Sequence, residues 1–155
     1  MAYQKLQAGQ ALAVIPSDTI PVPNPSAKSG SATAAAPTGA QLVGTATTFT
    51  SSVAVGDIIY DSTNSVAATV LDVVSDTVLT TSAAIATGAS YIIYSQANNP
   101  SNGCVLYVGV AGDLKVKTVG GDIVTIVAAP AGYHPLQVTQ VFATGTAATN
   151  ILALW

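Results

Sequence analysis

Short alternating runs of β-branched residues, separated by glycine-containing turns, constrain the fold of this 155-residue chain more than any other feature. The clearest example is GDLKVKTVGGDIVTIV, residues 112–127. Side chains of an extended chain alternate between two faces, so the two lysines lie opposite the face that carries Leu114 and Val116. Gly120 and Gly121 interrupt the pattern, and glycine tolerates positive φ. The stretch therefore predicts a β-hairpin with a two-residue turn, and its lysines predict a solvent-facing side or a protected edge.

The same pattern recurs along most of the chain. Further strand-like runs are TTFT, DIIYD, VAATVLDVV, DTVLTTS, SYIIYSQ, CVLYVGV, LQVTQVFA and NILALW. Turn-forming residues separate these runs, PAGYHP at 130–135 is a predicted loop, and no segment has a helical period of 3.6. The sequence therefore predicts an all-β fold, a small β-sandwich or barrel, with no substantial helix.

Charge is scarce in this chain. It has four lysines, seven aspartates and neither arginine nor glutamate, so charged residues make up 7% of it, against about 25% in typical soluble domains. A phosphate-binding groove needs basic side chains, which disfavours nucleic acid as a partner. No apolar run approaches the roughly 20 residues that cross a bilayer, and the N-terminus lacks the pattern of a secretory signal. We expect no membrane insertion, and a weakly charged surface that partners largely cover.

Candidate catalytic residues are few. His134, the single histidine, lies between Tyr133 and Pro135, and no GxSxG nucleophile motif accompanies it. Cys104, the single cysteine, lies in a strand-like run and is typical of a small core residue. A glycosidase needs two positioned carboxylates, and the aspartates here fall in turn-like or strand-edge contexts. The sequence therefore predicts a protein that is not an enzyme and has no catalytic residues.

Metal and cofactor sites are equally hard to place. Zinc needs several Cys or His ligands. Calcium could use Asp57 with Asp61, or Asp72 with Asp76, but neither pair lies in a dense Asp/Asn loop, and turn or strand-edge roles explain them better. The glycine-rich VGVAGD precedes no helix start, so it is not a phosphate loop. We predict no cofactor and no bound metal.

Two segments of the chain carry a family resemblance. One is ALAVIPSDTIPVPNP, residues 11–25, and the other extends from CVLYVGV at residue 104 to NILALW at residue 155. Together they resemble a family of small tailed-phage virion proteins, in whose shorter members the Pro-Ser-Asp-Thr segment leads almost directly into the LYVG strand. Residues 44–94 resemble another small β-module of phage structural proteins. Some members of the family are head decoration proteins, and others are spike-base or tail-associated components.

The resemblance and the strand pattern together predict the domain organisation. We expect one discontinuous β-domain from residues 1–25 and 98–155, a linker or surface arm at 26–39, and an inserted, β-barrel-like module at 40–97. Each domain is close to the size at which a single core is only marginally sufficient. Oligomerisation or docking would add the missing burial.

The resemblance implies a structural role in the virion. The first hypothesis is a capsid decoration (cement) protein, a homotrimer that binds the major capsid protein on the outer surface of the head and stabilises it. The alternative is a tail- or spike-associated component that contacts the host surface and binds glycan, for which strand tyrosines such as Tyr107 are suited. The copy number per virion separates the two hypotheses.

The C-terminal run NILALW predicts an assembly element. Its two faces are both apolar, with Ile151, Ala153 and Trp155 on one side and Leu152 and Leu154 on the other. A terminal strand of a small domain normally has one core face and one wet face. Burial on both sides would require a partner, so we predict that Ile151, Leu152, Leu154 and Trp155 form a subunit interface. In the alternative interpretation, Trp155 closes the base of its own sheet.

Overall fold

The computed structural model describes residues 8–35, 38–96 and 103–155. Within these ranges nearly all of the regular secondary structure is β-strand, which confirms the predicted all-β class. It divides into two compact units, one formed by Met1–Pro25 with Ser101–Trp155 and the other by Ser26–Pro100. The predicted bounds, 1–25 with 98–155 for one domain and 40–97 for the other, lie near these positions. Residues 1–7, 36–37 and 97–102, which belong to the predicted N-terminal segment, arm and domain junction, lie outside the described residues.

The elements follow one another in this order. A 3-10 turn spans Pro25–Ala27 and the short helix α1 spans Phe49–Ser52. The strands are β1 (Ala11–Ala13), β2 (Lys28–Thr33), β3 (Gln41–Val43), β4 (Ile58–Asp61), β5 (Val66–Val73), β6 (Val78–Thr81), β7 (Ser90–Tyr94), β8 (Cys104–Val110), β9 (Gly112–Thr118), β10 (Ile123–Ala129), β11 (Gly132–Val141) and β12 (Thr149–Leu154).

The first unit is one antiparallel sheet in the order β1-β12-β8-β11-β9-β10. Strand β11 has a neighbour on each side. Tyr133 of β11 pairs with Tyr107 of β8, and Val141 of β11 pairs with Val116 of β9. Its pairing with β8 shifts register beyond His134, and shifts of this kind bend a strand. The inward face is close-packed around Val22, Leu106, Val108, Leu114, Val116, Val138, Val141, Ile151 and Ala153.

The second unit is an antiparallel sheet in the order β2-β7-β4-β5-β6-β3. Its two outermost strands meet at one end, where Ala35 forms an isolated bridge with Val43 and donates its N–H to the Val43 carbonyl at 2.7 Å. This contact closes one end of the sheet into a barrel-like form, as predicted. The enclosed core comprises Ala34, Leu42, Phe49, Ile59, Ala68, Val70, Leu79, Ile85, Ala89, Tyr91 and Ile93.

Three local predictions were wrong. The segment 26–39, predicted as a linker or surface arm without regular structure, contains strand β2, whose small polar residues pair with β7 through the backbone. The expected strand TTFT is not a strand, because helix α1 begins at Phe49 and the Asp76 carboxylate accepts the Thr50 N–H at 3.2 Å. The predicted loop at 130–135 ends early, because β11 begins at Gly132.

The hairpin of β9 and β10 has a longer turn than predicted. The Thr118 N–H donates to the Asp122 carbonyl at 2.8 Å, and the Gly121 N–H donates to the Thr118 carbonyl at 3.0 Å. Residues 119–121 therefore form a three-residue loop, with Gly121 at φ +96° as its last residue. This is the turn in which glycine occupies the left-handed position after a type I turn.

Candidate functional site

Buried carboxylates in the second unit hold turns rather than forming a reactive centre. Asp61 is fully buried and accepts hydrogen bonds from the Thr63 N–H (2.9 Å), the Asn64 N–H (3.0 Å) and the Asn64 side-chain amide (2.8 Å). Asp57, also buried, accepts two backbone N–H bonds of 3.0 Å each. The local bonds to Asp57 and Asp61 stabilise turns, and the bond from the Gln96 N–H ties Asp57 to the chain that follows β7. No group of three or more His, Cys, Asp or Glu side chains among the described residues is placed to hold a metal ion.

An exposed carboxylate joins two distant parts of the first unit. Asp18 accepts the Thr144 N–H at 2.9 Å and the Thr144 hydroxyl at 2.7 Å. Hydrogen bonds to the ionised form, above all the one from the Thr144 side chain, lower the pKa of the Asp18 carboxyl from its ordinary value. Asp18 therefore fastens the N-terminal segment to the loop that follows β11.

The two residues that sequence analysis weighed as base and nucleophile are both buried. The ring Nε2 of His134 lies 2.9 Å from the Pro130 carbonyl oxygen. The Cys104 thiol lies 3.5 Å from the Val138 carbonyl oxygen, and burial raises the pKa of this thiol to about 12. A thiol with so high a pKa is not ionised near neutral pH and is a poor nucleophile. Cys104 therefore belongs to the hydrophobic core of the first unit, and His134 is a buried polar residue bonded to the Pro130 carbonyl just before β11.

A line of apolar side chains crosses the outward face of the first unit. Strand register places Ala13 opposite Leu152, Leu152 opposite Tyr107, and Tyr107 opposite Tyr133. We call these four residues the tyrosine row. The two rings meet edge to face, with centroids 5.2 Å apart and planes at 69°. Tyr133 is 75% exposed and Leu152 is 36% exposed, so the row is an accessible, uncharged surface on the sheet.

The four predicted interface residues divide between the two faces of β12. Ile151 is buried in the core of the first unit, and Trp155 packs partly buried against the same core. Leu152 lies in the tyrosine row, and Leu154 lies on the same outward face, opposite Val105. Burial of the strand on both sides is therefore not achieved within one chain. Only Leu152 and Leu154 point to the face where a partner could contact them.

A cleft of about 210 Å³ opens in the second unit beside α1. Small and hydroxyl-bearing side chains line it, among them Ser29, Thr47 and Ser52, together with Tyr91. The Tyr91 hydroxyl is buried without a hydrogen-bond partner among the described residues, and burial raises its pKa. The lining of the cleft has no charged side chain.

Comparison with known proteins adds no relative to this description. No family model, no curated protein and no solved structure matches the chain. In the part of the chain that the structure describes, no helix is long and apolar enough to span a membrane.

Sequence reasoning missed the tyrosine row as a unit. Tyr107 was assigned to a strand, but Tyr133 fell in a predicted loop, 26 positions further along the chain. The two rings meet only because β11 returns beside β8. The local signal for a strand was that residues 132–134 fit a pattern of alternating sides, with Tyr133 on the side opposite to His134. Pro135, the next residue, favoured a loop instead.

Proposed function

We propose that this chain is a non-enzymatic structural protein of a tailed-phage virion, a capsid decoration protein that docks on the major capsid protein at the outer surface of the head. The observation that carries the proposal is the tyrosine row, a line of exposed and partly exposed apolar side chains on the outward face of the sheet. The family resemblance of residues 11–25 and 104–155 supports the same role. On the particle, where the capsid arranges the copies, a homotrimer is the assembly that the resemblance implies.

The chemistry of the row suits protein docking. Tyrosine contributes a large contact area with few rotatable bonds, and aromatic side chains are frequent at the energetic centres of interfaces. Leu152 and Leu154 extend the apolar surface beside Tyr107 and Tyr133. None of these side chains is charged, so a partner could cover them without desolvating an ion.

The alternative is a tail- or spike-associated component that contacts the host surface. The exposed ring of Tyr133 is the feature that favours it, because aromatic rings also pack against sugar rings in glycan sites. Both hypotheses use the same face of the sheet. They differ in the number of copies that one virion carries.

Quantitative mass spectrometry of purified virions tests the proposal. A decoration protein is present in numbers comparable to the major capsid protein, whereas a tail or spike component is present in far smaller numbers. Absence of the chain from purified particles would rule out both roles.

A second experiment tests whether the tyrosine row is the docking surface. Purified variants are added to particles that lack the protein, and the amount bound is measured. We expect Tyr133→Asp and Leu152→Asp to lose particle binding while they keep the β-sheet circular dichroism signal. Val74→Asp is the matched control, because Val74 is 56% exposed and lies in the second unit. Full particle binding by Tyr133→Asp and Leu152→Asp would show that the tyrosine row is not the docking surface.

A further inference from the structure

Strand β10 is an edge strand with an unusual amount of exposed apolar surface. Ile123 is 57% exposed, Val124 is 38% exposed and Val127 is 75% exposed, and Val119 in the preceding turn is 44% exposed. These four belong to one hairpin, yet they are four of the ten large hydrophobic side chains that are exposed among the described residues. The exposure is therefore concentrated at this edge of the first unit.

The other edge strands carry features that prevent edge-to-edge pairing, whereas the first part of β10, residues 123–126, does not, because the register shift of β10 comes only after Ile126. Strands β1 and β3 have three residues each. Strand β2 carries Lys28 and a register shift before Gly30. Short length, lysine and irregular register all protect an edge. Strand β10 has seven residues, IVTIVAA, with neither proline nor a charged side chain.

The hydrogen bonds of β9 show which backbone groups of β10 point outward. The Lys115 carbonyl accepts the Phe142 N–H at 2.9 Å, on the side of β9 that faces β11. Its partner across the hairpin is Thr125. Backbone groups alternate along an antiparallel ladder, so Thr125 and Ile123 direct their N–H and C=O groups away from β9. Among the described residues, no strand pairs with this outer side of β10.

We propose that the outer edge of β10 pairs with β10 of a second copy of this chain, antiparallel and with Val124 on the two-fold axis. In that register Ile123 of each copy lies opposite Thr125 of the other, and each of these pairs exchanges two backbone hydrogen bonds. Val124 lies opposite Val124 of the second copy. The six-stranded sheet of each first unit would continue across the contact as one twelve-stranded sheet.

Self-complementarity is the reason to choose a second copy as the occupant. A two-fold contact uses one patch twice, so each group on the axis meets itself. Here the group on the axis is an uncharged valine whose exposed surface the second valine would cover. A charged residue on the axis would face its own charge at close range, which is destabilising.

The structure also limits the length of the contact. The register of β10 against β9 shifts between Ile126 and Ala129. Ala128 adopts φ +49°, and its N–H is bonded to the Asp113 carboxylate at 2.8 Å. This irregularity ends the flat part of the edge, so within β10 the pairing involves mainly residues 123–125, which are symmetric about Val124. We therefore expect a dimer that dissociates on dilution, whether or not the chain is a virion protein.

Variants that introduce a negative or a positive charge at position 124, on the two-fold axis, test the register. In sedimentation equilibrium over a concentration series, we expect the full chain to approach twice its 15.4 kDa, and Val124→Asp and Val124→Lys each to remain monomeric. An equimolar mixture of the two variants should dimerise again, because the carboxylate and the ammonium would then face each other. Val110→Asp is the control that leaves dimerisation unchanged, since Val110 is 49% exposed and lies on β8.

Disulfide cross-linking supplies a second readout that does not depend on charged variants folding well. Opposite residues in a non-hydrogen-bonded antiparallel pair have Cα atoms about 4.5 Å apart, within the range that a disulfide spans. Val124→Cys should therefore give a covalent dimer on mild oxidation, and Ile123→Cys should give far less. The native Cys104 is buried and does not interfere.

Four results would overturn the proposal. The first is a full chain that stays monomeric at every concentration. The second is a mixture of the Asp and Lys variants that does not dimerise although each variant melts like the parent. The third is equal cross-linking of Val124→Cys and Ile123→Cys. The fourth is a trimer that Val124→Asp leaves intact, which would assign assembly to another surface.

Discussion

Ile151 and Leu152 are neighbours on β12 whose side chains lie on opposite faces of the sheet, so their replacement separates core packing from surface contact. Ile151 is 4% exposed, and its side chain packs in the core of the first unit. Replacing a buried Ile with Ala costs about 2–5 kcal/mol of unfolding free energy, because apolar contacts are lost and a cavity remains. We expect Ile151→Ala to cost about 3 kcal/mol, within that range.

Leu152→Ala should cost much less. Full burial of a leucine side chain contributes about 1.5–3 kcal/mol, and Leu152 is 36% exposed, so a loss of about 1 kcal/mol is expected. Water can also fill the space that the shorter side chain leaves on an open face. The variant with the smaller effect on stability should have the larger effect on particle binding, because only Leu152 lies in the tyrosine row.

The assay is urea unfolding followed by tryptophan fluorescence. Trp155 is the single tryptophan of the chain and packs against the core of the first unit, so its emission reports the unfolding of that unit. The two variants should shift the midpoint by different amounts and keep the same dependence on urea. Equal losses of stability for Ile151→Ala and Leu152→Ala would refute the assignment of the two faces.

Three further predictions concern polar and titratable groups. The Cys104 thiol, with its pKa raised to about 12 by burial, should not react with Ellman's reagent at pH 8 until urea unfolds the chain. Asp18→Asn should destabilise the first unit at pH 7, and the difference from the parent should vanish at low pH. The pKa of Asp18 is lowered on folding, so its contribution is present above the unfolded value of about 3.9 and is lost as pH falls through the folded value. Tyr91→Phe should leave stability unchanged or raise it, because an unpartnered buried hydroxyl costs about 1–3 kcal/mol; thermal unfolding followed by near-ultraviolet circular dichroism measures this.

Each of these predictions has a clear contrary result. Rapid labelling of Cys104 in the folded protein would mean that the first unit opens readily. A pH-independent effect of Asp18→Asn would mean that the hydrogen bonds to Thr144 do not favour the ionised carboxylate. A marked loss of stability in Tyr91→Phe would mean that the hydroxyl has a partner, such as an ordered water in the cleft beside α1.

The sequence alone determined the class of the fold and much of its local structure. Alternation with a period of two is a property of neighbouring residues, so it identified β8, β9 and β12 and assigned Leu114 and Val116 to a common face. Composition by itself disfavoured catalytic and metal sites, because charged residues, His and Cys are scarce and Glu is absent. The hairpin of β9 and β10 was also predicted, although its turn has three residues instead of two.

Tertiary structure decided which strands lie side by side, and therefore which side chains share a surface. Strand β2 has no alternating apolar pattern and is a strand because β7 supplies its backbone partners. The tyrosine row joins β1, β12, β8 and β11, and β10 is an edge because the order of the sheet ends there. Local sequence does not encode these placements, because a strand with a buried face can pair with any neighbour that continues the same core. The burial of the whole chain selects one arrangement, and that arrangement determines which apolar residues remain exposed to a partner.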